Sequence, residues 1–273
     1  MSETAKLLKV RFDKVTLKEA TEKCMNWAKQ EGSKHYVTTP NPEILLEAQV
    51  NTKFLRVLNK SDLNIADGIG ILWGTKYKNL VKDSIFKTGK VWKFVTSLLC
   101  VPFAPKKLRS VLPERVTGVD LMQEVCKKSV NHGLKIFLLG AESGVAAKTQ
   151  SVLEKKYPGI YIAGTFSGSP KKDDEKEIHK LINDVKPDIL FVAFGAPNQE
   201  IWIAENMRYL KTTKLAVGIG GAFDFIAGKK KRAPKIVGKL GLEWLYRLIQ
   251  QPSRIKRIYN AIIKFPIKVA KKY

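Results

Sequence analysis

Nearly continuous apolar runs that end in glycine loops and then turn helical recur along this chain, and they narrow its fold more than any other feature. Residues 134–139, 189–194 and 215–219 are such runs. They lead into Gly140-Ala141-Glu142-Ser143-Gly144, Gly195-Ala196-Pro197-Asn198-Gln199-Glu200 and Gly220-Gly221-Ala222-Phe223-Asp224. A shorter run over 63–66 ends in Asp67-Gly68. Strands buried on both faces of a parallel sheet lose their in–out alternation and read this way. Helical patterns follow each loop, so the prediction is an α/β fold with a Rossmann-like, doubly wound, mostly parallel sheet. Further strands are expected over 7–12, 35–39 and 161–166. A Thr16/Glu19 capping box starts a helix running to residue 30, and another is expected over 42–58.

Ligands of an open α/β sheet bind outside the carboxyl ends of its strands. Asp67 stands there beside Gly68 and Gly70, which let a backbone or a substrate approach. Taken alone, an Asp-Gly pair is also the ordinary composition of a turn. In Thr39-Pro40-Asn41-Pro42-Glu43, Asn41 suits a helix N-cap and Pro42 the first helical position. The same geometry presents backbone N–H groups, Thr39 and Asn41 to the strand ends. Gln199 falls on a first helical turn at that end, whereas Asp188 precedes its strand and falls at the other. The loop from Gly140 to Gly144 fits a phosphate-binding turn but lacks the full dinucleotide fingerprint, which weighs against a nicotinamide enzyme on the same fold. Cys24, Cys100 and Cys126 are scattered, and the three histidines have no ligand spacing. No disulfide framework or metal centre is expected, and a reducing cytoplasm is.

The net charge of +24 is unevenly placed. Residues 229–273 carry fourteen Lys/Arg against Glu243 alone, and 76–115 carry ten against Asp83 and Glu114. The chain therefore divides into a body over 1–228 and a basic appendage over 229–273. Residues 77–111 break the α/β rhythm and read as an insertion, either an amphipathic membrane-facing loop or a hairpin packed on the body. Beyond Pro252, apolar Ile255, Ile258, Ile262, Phe265 and Val269 recur at helical spacing beside Arg254, Arg257, Lys264, Lys268 and Lys271. A basic amphipathic helix of this kind suits an anionic headgroup surface. The plainer alternative is a helix packed on the core with its charges in water. Nucleic acid is the other anionic partner, but the apolar residues here are mostly aliphatic rather than stacking aromatics, so none is expected. No run reaches the ~20 apolar residues of a spanning helix, and the first residues lack the apolar core of a signal peptide.

With these loops in hand, the sequence resembles the WecG/TagA/CpsF family of bacterial glycosyltransferases. The resemblance is carried by Thr39-Pro40-Asn41-Pro42-Glu43, Ala66-Asp67-Gly68-Ile69-Gly70, Glu114-Arg115-Val116-Thr117-Gly118-Val119-Asp120 and the loops that begin at Phe194 and Gly220. It continues through Leu242-Glu243-Trp244-Leu245-Tyr246-Arg247, Pro252, Arg254 and Arg257. The stretch 77–111 departs from the pattern as a longer link between the Asp-Gly and Glu-Arg motifs. The resemblance implies transfer of an N-acetylmannosamine-type sugar from UDP to undecaprenyl-diphosphate-linked N-acetylglucosamine, in teichoic-acid linkage, enterobacterial-antigen or capsule assembly. It implies inversion without a metal ion, no cofactor beyond the UDP-sugar donor, and a peripheral place on the inner face of the cell membrane. It also implies that the C-terminal segment helps complete the site; self-association is left open.

Inversion by direct displacement needs a base for the acceptor hydroxyl and stabilisation of the departing diphosphate. Asp67 is the expected base. The sequence contains no Asp-x-Asp to hold a metal, and guanidinium groups bind phosphate oxygens bidentately. Arg115 in the body and Arg247, Arg254 and Arg257 in the tail are the expected cations. Thr39, Asn41 and Gln199 are expected to read the sugar hydroxyls and acetamido group, and Gly140, Gly220, Gly221 and Asp224 to line the donor site.

Overall fold

The chain opens with an antiparallel hairpin, β1 (Thr4–Leu7) and β2 (Val10–Asp13), where the sequence predicts one strand over 7–12. The turn is Leu8-Lys9, both at positive φ (45° and 68°). Two-residue turns of this kind ordinarily announce themselves with Asn or Gly. Here tertiary contacts hold the backbone instead. The Leu8 N–H donates to the Tyr273 hydroxyl (3.0 Å), and its C=O accepts from Gln49 Nε2 (2.7 Å).

The computed structural model describes residues 3–84, 87–234, 237 and 243–273. After α1 (Leu17–Lys29), capped by Thr16 and Glu19 as predicted, come β3 (His35–Thr38), α2 (Pro42–Ala48), α3 (Thr52–Lys60) and β4 (Leu63–Asn64). The single helix expected over 42–58 is thus two. Asn51 Oδ1 accepts from the Phe54 N–H (3.0 Å), and this cap restarts the helix. Next are α4 (Ile69–Val81) and α5 (Lys87–Phe103), so the stretch 77–111 is largely helical and packs on α4. The α/β rhythm then runs α6 (Gly118–Val130), β5 (Lys135–Gly140), α7 (Val145–Lys156), β6 (Tyr161–Phe166), α8 (Lys172–Val185), β7 (Ile189–Ala193), α9 (Asn198–Asn206), β8 (Leu215–Gly218) and α10 (Ala222–Ile226). The tail is helical over Glu243–Gln250, Ile255–Tyr259 and Phe265–Lys272, with a π turn at Asn260–Lys264.

β3 to β8 form one parallel sheet in the order β4-β3-β8-β7-β5-β6. All six carboxyl ends therefore reach the same edge. One face packs Ile136, Leu138, Phe191 and Val217 against α1, α6 and α7 through residues such as Met25, Leu121 and Leu153. The other packs Phe137, Leu139, Leu190 and Val192 against Ile178, Ile182, Trp202 and Ile203 of α8 and α9.

A second core lies beside the sheet. Leu7, Leu8 and Phe12 of the hairpin meet Leu45, Phe54, Trp73, Tyr77, Phe265 and Val269 there. Gly70 and Gly74 make one bare face on α4. A Cβ at Gly74 would sit 2.7 Å from Leu7 Cδ2 and 3.5 Å from Phe265 Cζ. Phe265 is fully buried and edge-on to Trp73. The charge boundary at residue 228 is therefore no packing boundary for the last helix. Among the described residues, no helix is long and apolar enough to cross a membrane.

Phe265→Ala should cost about 3–5 kcal/mol, as for other fully buried aromatics truncated to Ala. Urea denaturation followed by circular dichroism checks this. A midpoint unchanged from the parent would mean that the last helix does not anchor the second core.

Candidate active site

A cleft of about 780 Å³ opens at the carboxyl edge of the sheet, within the usual size for a small-molecule site. Its floor comes from the loops after β3, β4, β5, β7 and β8. Beside it runs a groove of about 400 Å³ with more apolar walls. Asn41, Glu43, Asp67, Arg254 and Arg257 line both.

Asp67 is held from two sides. Its N–H donates to the Pro40 carbonyl (3.1 Å), and its Oδ2 accepts from the Gly118 N–H at 3.5 Å. Gly118 begins α6, whose positive end thus faces the carboxylate. Gly68 follows at φ 127°, a conformation that requires glycine, and a Cβ there would meet Pro42 Cδ at 3.4 Å. Thr39 and Asn41 line the cleft as predicted, but their polar atoms also work within the fold. Thr39 Oγ1 donates to the Gly218 carbonyl (3.1 Å), and Asn41 Oδ1 caps α2 through the Ile44 N–H (3.1 Å).

Gln199 does something the sequence does not announce. Its Oε1 accepts from the N–H groups of Gly195 and Gly220, both at 3.1 Å, clamping the loops after β7 and β8 together. Its Nε2 donates to Glu200 Oε1 (2.8 Å). The side chain is buried and the clamp partly so, and Gln199 shapes the cleft that it also lines. Gly140, at φ 101°, leaves room for the neighbouring strand end; a Cβ would lie 2.9 Å from the Ala193 carbonyl carbon. Gly220 and Gly221 form the rim beside Asp224.

The cations stand around this floor. Lys230 pairs with Asp224, and Lys229 with Glu142. Arg232 holds Asp120 with two bonds of 2.6 and 2.7 Å. Burial pushes the Asp120 carboxyl up, but the Arg232 guanidinium and the Thr117 hydroxyl outweigh it and hold the group below the usual carboxylate range. Lys230 and Arg232 line the cleft, although a basic run there reads only as a loop in the sequence. Arg257 grips Glu43 through Nε and Nη2 (3.0 and 2.8 Å), which brings Arg254 to the mouth. Arg115 lines the groove and not the main cleft. The side chain of Arg247 lies outside the described residues. Among those residues no three His, Cys, Asp or Glu side chains gather into a metal-holding group.

A family model described as the glycosyl transferase WecG/TagA/CpsF family matches residues 5–89 and 100–273. The chain belongs to that family. Within the 77–111 stretch, the match leaves out only residues 90–99, which fall on α5. Two relatives bear the name N-acetylglucosaminyldiphosphoundecaprenol N-acetyl-beta-D-mannosaminyltransferase, from Staphylococcus aureus strains MW2 and NCTC 8325. Each is 34% identical over 99% of this chain and 94% of its own length. The segments of this chain that carry the resemblance converge on the cleft, the groove and their shared mouth.

Glu200 is the titratable group hidden under the site. It is fully buried, and its Oε2 has no hydrogen-bond partner among the described residues. Burial pushes its carboxyl up to about 7, against the opposing pull of the Gln199 amide. The folded state therefore holds the Glu200 proton more tightly than the unfolded chain, and stability falls as pH rises from about 4.5 through about 7. Glu200→Gln keeps an acceptor for Gln199 and removes the titration. It should be more stable than the parent at pH 8, by on the order of 3 kcal/mol, with the gap closing near pH 4. Calorimetric melting across that range tests it; parallel curves would contradict the assignment.

Proposed function

We propose that this protein is an inverting, metal-independent glycosyltransferase. It moves N-acetylmannosamine, or a closely related sugar, from UDP to N-acetylglucosamine carried on undecaprenyl diphosphate, for cell-wall or surface polysaccharide synthesis. It works peripherally on the anionic inner face of the cell membrane. The observation that carries this reading is the position of Asp67, where the polar cleft and the apolar groove meet with arginines at the same mouth. A sugar nucleotide suits the cleft, and a lipid-linked acceptor suits the groove. The names of the relatives supply the sugar and the acceptor.

In this mechanism Asp67 takes the proton of the acceptor hydroxyl as that oxygen attacks the anomeric carbon from the face opposite the diphosphate. The bond to the diphosphate breaks, and the sugar inverts. Charge grows on the departing oxygens. Lys230 and Arg232, at the start of the basic appendage, and Arg254 and Arg257, further along it, line the cleft and would meet it, with Lys230, Arg232 and Arg257 exchanging carboxylate partners for phosphate. The end of α6 adds a fixed positive pole. Exposed basic and apolar residues along 255–272 suit an anionic bilayer.

Asp67→Asn should lower kcat by roughly two to four orders of magnitude while UDP still binds. Turnover near the parent rate would remove Asp67 from the role. EDTA should leave UDP release unchanged in an assay with UDP-N-acetylmannosamine and a lipid-diphosphate acceptor. Strict dependence on added Mg²⁺ or Mn²⁺ would refute the use of cationic side chains in place of a metal.

A further inference from the structure

The Gln199 clamp works with its amide one way round only. An amide presents an oxygen on one side and an NH2 on the other. Turned over, the NH2 of Gln199 would face the N–H groups of Gly195 and Gly220, donor against donor. Glu200 Oε1 settles the orientation. It accepts from Gln199 Nε2 (2.8 Å), which leaves the amide oxygen for the two loops. The fit has little slack, since a Cβ at Gly218 would lie 3.1 Å from Gln199 Nε2. Both clamped loops end at the cleft, where Gly195, Ala196, Gly220 and Gly221 line it.

Glu200 fits this place as a neutral acid. One of its oxygens is buried without a partner among the described residues, and a carboxylate in such a site is relieved by admitting water. The elements around it bring no offsetting charge among the described residues. α9 packs against α3, β3, β7 and β8, and α8 shares its apolar face. Lys53 of α3 pairs with Glu205, His35 of β3 with Asp62, and Lys214, just before β8, with Asp188. Arg56 and Lys60 of α3 and the lysines of α8 are exposed. Tyr36 of β3 donates to the Val57 carbonyl, and His179 and Glu175 of α8 both bond Asn206. Past the end of α9, Arg208 lies over the Tyr209 ring. Burial therefore dominates and raises the carboxyl to about 7, with the hydrogen bonds from Gln199 and from its own backbone pulling the other way.

We infer that Glu200 is a positioning residue for the sugar-nucleotide site: protonated, it holds the Gln199 amide in the orientation that clamps the loops after β7 and β8, and on losing that proton it loosens them. Glu200 acts through Gln199 and not on the ligand itself. The identity of the ligand rests on the proposed transfer reaction, whereas the clamp does not. A cleft whose walls are fixed in advance binds without the cost of ordering them. Donor binding is thus tightest where Glu200 keeps its proton, and it weakens as pH rises through about 7.

Two measurements decide it. The first needs no ligand. Hydrogen exchange of the Gly195 and Gly220 amides, corrected for its intrinsic pH dependence, should accelerate at least about fivefold between about pH 6 and about pH 8.5 in the parent. In Glu200→Gln, which keeps the acceptor and lacks the titration, it should stay level. The second is calorimetric binding of UDP-N-acetylmannosamine with no acceptor present; this donor keeps both phosphate charges over that range. Its Kd should rise by a similar factor in the parent and not in Glu200→Gln. The titration of Asp67, which acts on the acceptor, enters kcat and not this Kd. Glu200→Met removes the acceptor oxygen at similar size, and it should raise the donor KM about tenfold at every pH with kcat changed far less. If that variant fails to fold, the comparison of Glu200→Gln with the parent across pH decides alone. Level exchange and a level Kd in the parent, or the same rise in both proteins, would overturn the role of Glu200 and leave the transfer reaction standing. Loosening and weaker binding in the parent alone, without transfer to any acceptor, would keep the role and defeat the reaction.

Discussion

The close approach of Phe265 to α4 decides how much of this molecule can act. Gly70 and Gly74 strip side chains from one face of that helix, and Phe265, Leu7 and Pro42 occupy the space. Protein interiors are packed tightly enough that even one methyl group in such a contact must displace something. Because Phe265 is seated, the helical turns just before it lie along the sheet edge, and Arg254 and Arg257 reach the mouth of the cleft. The ion pair between Arg257 and Glu43 is exposed and contributes little by itself. It aims the arginine, whereas buried apolar contact holds the tail in place.

The cleft is organised by neutral and paired groups rather than by isolated charge. Gln199 joins two loops through one oxygen, and Glu200 beneath it orients the amide. A buried carboxyl with one unpartnered oxygen is costly when ionised, so the site carries its expense where the loops must be fixed. At the rim, the cations are matched by Asp224, Glu142 and Asp120. A phosphate entering there competes for cations already oriented by carboxylates, which favours a doubly charged ligand over a singly charged one.

Most of the central sheet was legible because burial on both faces leaves a signature in sequence: the runs ending at Leu139, Phe194 and Ile219 could be little else. The Thr16/Glu19 capping box was equally readable, since a local hydrogen bond sets it. What escaped depends on partners far along the chain. The turn at Leu8-Lys9 has no turn residues because Gln49 and Tyr273 hold it. The break at Asn51 is visible only as a cap, and an Asn inside a helical pattern is ambiguous. In the site, the placement of Asp67, Thr39 and Asn41 on the strand ends followed from topology. The clamp made by Gln199 did not, because the donors to its oxygen are backbone N–H groups 4 and 21 residues away. Lys230 and Arg232 were hidden in a run of like charge that local pattern cannot subdivide.

The bond between Leu8 and Tyr273 spans 265 positions. Contacts of such separation close late, because the intervening chain must first be ordered. The parallel sheet and its nucleotide-sized hollow involve much of the polypeptide before residue 230, and they have their own apolar faces. The second core has to wait for the final helix. During synthesis, a molecule can therefore acquire its hollow while the guanidinium groups of the tail are still unplaced, so assembly order itself delays the competent state until the last turns dock.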